Sequence, residues 1–440
     1  MQDDRHDHHC PCTERRLTGH FLVRKAAKNR SADHRTTRPE FSDFGRKRGF
    51  PRRPPGLRAE PLRPVSTCPS PLQLAERIIR RADREHAADA VLRAELKAAR
   101  DIPPGTAAET SRMVFAFYRW FGWLAKDQPI AHQIQHASQL ASTFAARPQS
   151  FAADELLHRA VPGWTSDEVQ PDAGWIRCVQ AEPKLWLRAR VGQGRTLSAR
   201  LGQASIVTLP DAVLYEGPED LFRTPEFHSG QFEIQDVASQ AVSFLCAPEP
   251  GQTWWDACAG EGGKLLHLSD LMQNKGLIWA SDRAEWRLQK LKRRTARARC
   301  FNYRAAVWDG SARLPTKTRF DGVLLDAPCS GLGTWQRNPH ARWTTSIDDL
   351  HELAQLQKNL LSHAAPSVKP GGKLIYAVCT LAGSETSQVA DSFNKTHADF
   401  EPLPLANPFK PGSAAVHPLY LWPQETAGNG MFITAWRRKG

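Results

Sequence analysis

The sequence predicts an α/β domain with a mostly parallel sheet, preceded by a helical bundle and a small α+β module. Three changes of pattern along the 440 residues support this prediction. From residue 71 to about 160, apolar residues recur at three- and four-residue steps, as in amphipathic helices. Short strand-like runs broken by Gly and Pro follow up to 245. From Thr253 onward, strand-like and helical runs alternate, which is typical of a parallel sheet.

The composition excludes several classes of protein. Of the residues, 41% are hydrophobic and 24% charged, and no apolar run is long enough to span a membrane. The start of the chain lacks the basic and then apolar pattern of a secretory signal. The nine cysteines are scattered and odd in number, which argues against a disulfide framework. We therefore expect a cytoplasmic monomer with reduced thiols and no membrane partner.

Residues 1–68 are rich in Arg, Pro and polar residues and are predicted to be a disordered basic tail. The tail contains 16 Lys and Arg against 8 Asp and Glu, so it carries most of the net charge of +13. This charge favours an anionic partner such as nucleic acid. We predict no metal site, because the spacing of the His- and Cys-rich stretch matches no closed tetrahedral set: His6, His8, His9, Cys10 and Cys12.

The loop after the first strand of the α/β domain is a candidate ligand site, because ligands bind at the carboxyl ends of parallel strands. Residues 256–264 include three glycines, which let the backbone approach a ligand before the next helix. Neither a Walker-type phosphate loop nor the dinucleotide fingerprint Gly-x-Gly-x-x-Gly matches this stretch. Asp282 ends the next strand and suits ribose hydroxyls, and Asp309 ends a third and suits an adenine amino group. A nucleotide-containing cofactor is therefore predicted.

Two cysteines end the next two strands. Cys329 lies in Asp-Ala-Pro-Cys-Ser-Gly after the fourth strand, and Cys379 follows the fifth. A lone buried cysteine is usually a packing residue. Two cysteines at adjacent strand ends should face the same crevice, and packing alone does not explain them.

Together these motifs resemble those of the RsmB/Nop/Sun-type family of RNA (cytosine-5)-methyltransferases. The resemblance is strong over residues 180–440 and weaker over 71–160. One departure is Val378, where the family usually has Thr before the nucleophile. The matching stretches are Gly230–Ser239, Asp256–Lys264, Asp326–Gly331 with Gly333, Thr334 and Arg337–Pro339, and Cys379–Thr380 with Glu385.

The resemblance implies a specific domain organisation. A Rossmann-like, S-adenosylmethionine-dependent catalytic domain with a seven-stranded, mostly parallel sheet would occupy 246–440. A small α+β RNA-binding module would occupy 166–245, and a helical domain similar to NusB would occupy 69–165 and bind RNA. The residues expected to bind the methyl donor are Cys258, Ala259, Gly260, Glu261, Gly262, Gly263, Lys264, Asp282, Asp309 and Asp326.

The resemblance also implies catalytic roles. Carbon 5 of cytosine is a poor nucleophile, so a thiolate, Cys379, must first add to carbon 6. Asp326 would protonate or hydrogen-bond ring nitrogen 3, and the positive charge of Lys264 would act on the charge of Asp326. Cys329 would help to release the proton from carbon 5. DNA (cytosine-5)-methyltransferases use the cysteine of a Pro-Cys motif as the nucleophile. The alternative in which Cys329 attacks and Cys379 assists therefore stays open.

The expected substrate is RNA, with the target cytosine extruded into the site. Arg287, Arg337 and Arg342 are predicted to contact it, although the basic segment that follows the second strand is also typical of a solvated helix face. The weak similarity to NusB favours 16S ribosomal RNA over transfer RNA as the substrate. The alternatives left open are a transfer-RNA enzyme, a non-catalytic ribosome-assembly factor and a methyltransferase that acts on amino groups or proteins.

Overall fold

The computed structural model describes residues 69–99 and 102–440. The predicted tail 1–68, with its His- and Cys-rich stretch, lies outside the described residues. Within the described ranges, no cluster of three or more His, Cys, Asp or Glu side chains is arranged to hold a metal ion. None of the helices in this part of the chain is long and apolar enough to cross a membrane.

The first part of the described chain is helical. Its first helix starts with a capping box in which Ser70 and Gln73 bond each other's backbone N–H. The aromatic run that follows residue 113 supplies core residues, including the fully buried Trp120. The helices are α1 (Pro71–Arg81), α2 (Ala88–Ala98), α3 (Pro104–Arg119), α4 (Ile130–Ala146), α5 (Ala153–Ala160), α6 (Thr165–Glu168) and α7 (Ala173–Gln180).

A small antiparallel sheet with two helices comes next. Across the sheet, its strands lie in the order Ala204–Ile206, Ala212–Tyr215, Leu185–Ala189 and Phe232–Ile234. The buried guanidinium of Arg188 joins this sheet to the following domain, since it bonds the Asp270 carboxylate at 2.6 Å. The elements are β1 (Leu185–Ala189), α8 (Gly194–Leu201), β2 (Ala204–Ile206), β3 (Ala212–Tyr215), α9 (Pro225–His228) and β4 (Phe232–Ile234).

The remaining elements form an α/β domain. They are α10 (Val237–Cys246), β5 (Thr253–Asp256), α11 (Gly263–Leu271), β6 (Leu277–Asp282), α12 (Glu285–Arg297), β7 (Tyr303–Val307), β8 (Phe320–Asp326), α13 (Ala341–Thr344), α14 (Ile347–Ala364), β9 (Val368–Val378), α15 (Ser387–Thr396), β10 (Phe400–Pro402), β11 (Leu419–Leu421), α16 (Pro423–Thr426) and β12 (Met431–Arg438).

Seven of these strands follow the order β7-β6-β5-β8-β9-β12-β10, and β11 pairs with β12 off this path. Strands β5 to β9 are parallel, whereas β12 runs antiparallel to β9. The predicted α/β class with a seven-stranded, mostly parallel sheet is therefore confirmed. The order reverses between β5 and β8, so a crevice is expected at their carboxyl ends.

Candidate active site

A cavity of about 460 Å³ lies at the carboxyl ends of β5, β6 and β8. This volume is within the range of small-molecule and cofactor sites. All the residues predicted to bind the methyl donor line it, with the exception of Gly262. The chain thus brings residues as far apart in sequence as Ile234 and Cys379 around one cavity.

Gly262 lies on the side of the glycine-rich loop that packs against α12. Its φ of +86° lies in the left-handed region that favours glycine. An added Cβ would come within 2.8 Å of the Leu291 side chain on α12. Its predicted direct contact with the donor therefore needs correction, because this glycine packs the loop against a helix and does not face the cavity.

Asp282 holds the same loop from the end of β6. Its carboxylate is buried and accepts hydrogen bonds from the backbone N–H groups of Gly260 at 3.1 Å and Ala284 at 2.8 Å. A carboxylate has about four acceptor positions, so two remain for ligand hydroxyls. Asp309 lies exposed at the cavity rim, where hydrogen bonds from Ser311 lower the pKa of its carboxyl.

Asp256, at the end of β5, was not among the predicted site residues. Its side chain is completely buried beside the cavity, and neither carboxyl oxygen has a hydrogen-bond partner among the described residues. Burial, followed by the nearby Asp326 charge, raises the pKa of Asp256 to about 8. A buried polar group without a partner next to a cavity fits a ligand that supplies the missing hydrogen bonds. In the sequence, the position of Asp256 at the end of a predicted strand is the feature that could have identified it as a site residue.

Lys264 and Asp326 form an ion pair at the inner end of the cavity. The ammonium nitrogen of Lys264, in the first turn of α11, lies 2.6 Å from Oδ2 of Asp326 at the end of β8. Burial alone would lower the pKa of Lys264, but the charge and hydrogen bond of Asp326, together with the nearby Cys379 and Asp256, raise it overall. The lysine is therefore held in its charged form beside Asp326.

The two cysteines meet at the same place. Their Sγ atoms are 3.3 Å apart, and both side chains are half-buried at the edge of the cavity. The loops that carry them are also joined by the N–H of Gly333, which donates to the carbonyl of Cys379 at 3.0 Å. The hydrogen bond with Cys379 is the main cause that raises the pKa of Cys329 well above its usual value, and burial adds to it. The site thus contains two thiols in contact next to an aspartate–lysine pair.

The three arginines predicted to bind RNA differ in their surroundings. Arg287 is half-exposed and lines the cavity, with a nitrogen 3.7 Å from Asp282. Arg337 is less exposed and forms an ion pair with Asp236 at 3.2 Å. Both remain within reach of a ligand at the surface.

The prediction that Arg342 contacts RNA is wrong. This side chain is completely buried, and its guanidinium donates to the carbonyls of Ala160 at 2.7 Å and Val179 at 2.9 Å. It also donates to Oε1 of Gln180 at 2.7 Å. Arg342 therefore joins the segment after β8 to the helical part of the chain, and no phosphate can reach it.

The family model described as 16S rRNA methyltransferase RsmB/F matches residues 243–437. Ribosomal RNA small subunit methyltransferase B of Serratia proteamaculans is 31% identical over 303 residues, which cover 63% of this chain and 68% of that protein. The Vibrio cholerae protein of the same name is 34% identical over 57% of this chain and 60% of its own length. The chain spans about half the length of the first relatives it matches, 48% for the Synechocystis protein and 49% for the Bacillus subtilis protein.

Solved structures agree with this relationship. A methyltransferase homologue from Pyrococcus horikoshii is 26% identical, with a TM-score of 0.57 over 65% of this chain and 98% of that chain. NSun6 from the same organism, solved with SFG, covers 61% of this chain and 94% of its own, with a TM-score of 0.54; at 18% identity this likeness concerns the fold alone. By the family model, the Serratia relative and the arrangement of the sheet, this chain belongs to the RsmB/F family of 16S ribosomal RNA methyltransferases.

Proposed function

We propose that the protein transfers a methyl group from S-adenosylmethionine to carbon 5 of a cytosine in 16S ribosomal RNA. The observation that carries this proposal is the pair of thiols 3.3 Å apart beside the Lys264–Asp326 ion pair. The names of the relatives, which refer to the small ribosomal subunit, support the choice of RNA. This substrate would place the enzyme in the cytoplasm, where we expect it to act as a monomer.

In this proposal the methyl donor occupies the cavity beside the glycine-rich loop. When bound, it supplies the methyl group on a positively charged sulfur. Asp282 has acceptor positions left for ribose hydroxyls, and Asp309 is placed at the rim for an adenine amino group. The unpartnered carboxyl of Asp256 is available to a polar group of the ligand.

Cys379 would act first. Its thiolate adds to carbon 6 of cytosine, and the electron density moved onto carbon 5 allows that carbon to attack the methyl group. Asp326 has to carry a proton transiently to donate a hydrogen bond to ring nitrogen 3 and favour this addition, and the Lys264 ammonium 2.6 Å away is the group that can lend it. The ammonium of Lys264, 2.6 Å from Asp326, keeps the carboxyl in place and compensates its charge when it is ionised.

Cys329 would complete the reaction. The proton on carbon 5 must move to a base before the carbon–sulfur electrons return to Cys379 and the product leaves. The main cause of the raised pKa of Cys329 is its hydrogen bond with the Cys379 thiol. Once Cys379 is bonded to carbon 6, that thiol and its charge are gone. Adduct formation thus lowers the pKa of Cys329, its own proton passes to water, and the resulting thiolate takes the proton from carbon 5.

The other domains would hold the RNA. We propose that residues 69–165 and 166–245 are RNA-binding modules and that Arg287 and Arg337 contact phosphates near the cavity. The tail 1–68 adds positive charge to the chain. A transfer-RNA substrate is the alternative within the same chemistry. A non-catalytic assembly factor is disfavoured because the cysteine pair, Asp326 and the glycine-rich loop are all present.

The test is to incubate the purified protein with methyl-labelled donor and unmodified 16S ribosomal RNA, small subunits or transfer RNA, and to analyse the nucleosides. We expect label in 5-methylcytidine from the ribosomal substrate. Cys379→Ala should abolish it, Cys329→Ala should accumulate a covalent protein–RNA adduct, and Cys178→Ala, which alters a thiol on α7, should do neither. Label in transfer RNA alone would support the alternative substrate. Donor binding without any 5-methylcytidine would overturn the proposal and favour the assembly factor.

A further inference from the structure

Glu385 is a buried carboxylate beneath the two cysteine loops. Its side chain has no exposed surface. Its oxygens accept hydrogen bonds from the backbone N–H of Ser330 at 2.9 Å, from the Ser330 hydroxyl and from the side-chain amide of Gln357 at 2.9 Å. Burial raises the pKa of the Glu385 carboxyl, and these hydrogen bonds counter that effect by stabilising its ionised form, although none of the three donors carries a positive charge. Burying a charge in this way is costly, which suggests that the charge has a use.

The position of this carboxylate is fixed from two sides. Tyr376 donates its phenolic hydrogen to the carbonyl of Glu385 at 2.7 Å, and its oxygen lies 2.9 Å from Oε1 of Gln357. Ser330 follows Cys329 directly, and its hydroxyl lies 3.1 Å from that of Thr380, which follows Cys379 directly. Glu385 therefore accepts two hydrogen bonds from Ser330, the residue after one reactive thiol, and the hydroxyl of Thr380, the residue after the other, also acts on its carboxylate.

The two thiols also differ in the charged groups that affect them. Cys379 is close enough to the ammonium of Lys264 for its ionised form to affect the pKa of that lysine. Cys329 is joined by its peptide bond to Ser330, whose backbone N–H donates to the Glu385 carboxylate. The hydrogen bond with Cys379, burial, and then the charges of Cys379 and Glu385 raise the pKa of Cys329.

Other ionisable groups face Cys329 from the solvent side or from below. A second cavity over this thiol is lined by Arg283, Asp349 and Glu352, of which Asp349 is paired with Arg84. Water and salt screen these exposed charges more than they screen a buried one. Beneath the thiol, Tyr376 is neutral, because burial raises the pKa of its phenol well above the usual value.

We propose that Glu385 is a positioning residue that decides which of the two adjacent thiols is the nucleophile. Its buried negative charge adds to the hydrogen bond with Cys379 and to burial in keeping Cys329 protonated, and so leaves Cys379, on the side of Lys264, as the thiol that ionises. This inference rests on the proposed function and deepens it. It gives a physical reason why the cysteine of the Pro-Cys segment does not attack first.

The test measures thiol ionisation in the free protein without RNA or donor, so it can fail independently of the proposed reaction. Iodoacetamide alkylation of Cys329 and Cys379 is followed by peptide mass spectrometry as initial rates from pH 6 to 10. The pH midpoint of each rate reports ionisation regardless of accessibility. In the wild-type protein Cys379 should have the lower midpoint. The wild-type midpoint of Cys329 lies towards or above the upper end of this range, so the rate itself is the readout there: in Glu385→Gln the alkylation rate of Cys329 should rise about tenfold, as for a midpoint lower by about one pH unit.

Two variants separate charge from shape. Glu385→Asp keeps the charge and should keep the wild-type order of midpoints, whereas a purely structural role would make it behave like Glu385→Gln. Asp391→Asn removes an exposed carboxylate on α15 and should change neither midpoint. An unchanged alkylation rate of Cys329 in Glu385→Gln would overturn the proposal. So would a wild-type protein in which Cys329 ionises first, a result that stands even if the Gln variant does not fold.

Discussion

Replacing Arg342 with methionine tests whether this arginine supports the fold or binds RNA. The change keeps a long apolar side chain but removes a completely buried guanidinium. Three acceptors within 2.9 Å lose their donor: the carbonyls of Ala160 and Val179 and the side-chain oxygen of Gln180. Each buried acceptor left without a partner costs about 1 kcal/mol or more.

The expected loss of unfolding free energy is therefore about 3 kcal/mol, from three acceptors at about 1 kcal/mol each. Removing a buried positive charge offsets part of this cost, since burial and the nearby Arg119 lower the pKa of Arg342 well below its usual value. Arg342→Lys should also be destabilised, because an ammonium cannot reproduce the planar fork of donors.

Urea unfolding followed by tryptophan fluorescence measures the effect, and RNA binding is measured on the folded fraction. Arg293→Met, which alters an exposed arginine on α12, is the matched control and should change stability by less than about 0.5 kcal/mol. Wild-type stability combined with a loss of RNA affinity in Arg342→Met would refute the structural role and restore the original prediction.

Two further predictions concern the cavity. Because the pKa of Asp256 is raised to about 8, the folded protein keeps the proton on this carboxyl at pH values where the unfolded chain has lost it. The free energy of unfolding of the wild-type protein should therefore fall as the pH rises from 6 through 8. Asp256→Asn should flatten this dependence in urea titrations, and an equally steep loss in the variant would show that another group causes it. Gly262→Ala should weaken binding of S-adenosylmethionine at least about tenfold in calorimetry, because its φ of +86° and a Cβ 2.8 Å from Leu291 force the loop to move. Gly251→Ala, at another glycine of positive φ but with open space around its Cβ, is the control, and equal binding by both variants would contradict this reasoning.

Much of the fold could be predicted because buried parallel strands are nearly continuous apolar runs bounded by loops. The runs at 254–256, 277–280, 322–325 and 373–378 all lie within strands of the large sheet. Residues at the carboxyl end of such a strand and in the loop just after it face the crevice, which is why local sequence identifies Asp282, Cys329 and Cys379. The glycine-rich loop was found for the same reason.

Other features depend on contacts between distant segments. Arg342 looks like an exposed loop arginine in the sequence, and only the packing of α7 and the end of α5 around it makes it a buried donor. Gly262 looks like a ligand contact in the sequence, and only the tertiary structure shows that it packs against Leu291 of α12. The carboxylate of Glu385 meets Ser330, 55 positions earlier, through a folded arrangement that no local pattern encodes.

By itself, the sequence determined the residue types at each strand end, and with them the nucleotide-cofactor site, the cysteine pair and the family resemblance, because strand periodicity and loop chemistry are local properties. The tertiary structure decided distances and surroundings: the 3.3 Å between the two thiols, the pairing of Lys264 with Asp326 and the isolation of Asp256 from any partner among the described residues. Ionisation depends on these surroundings, since desolvation and nearby charge act through space rather than along the chain.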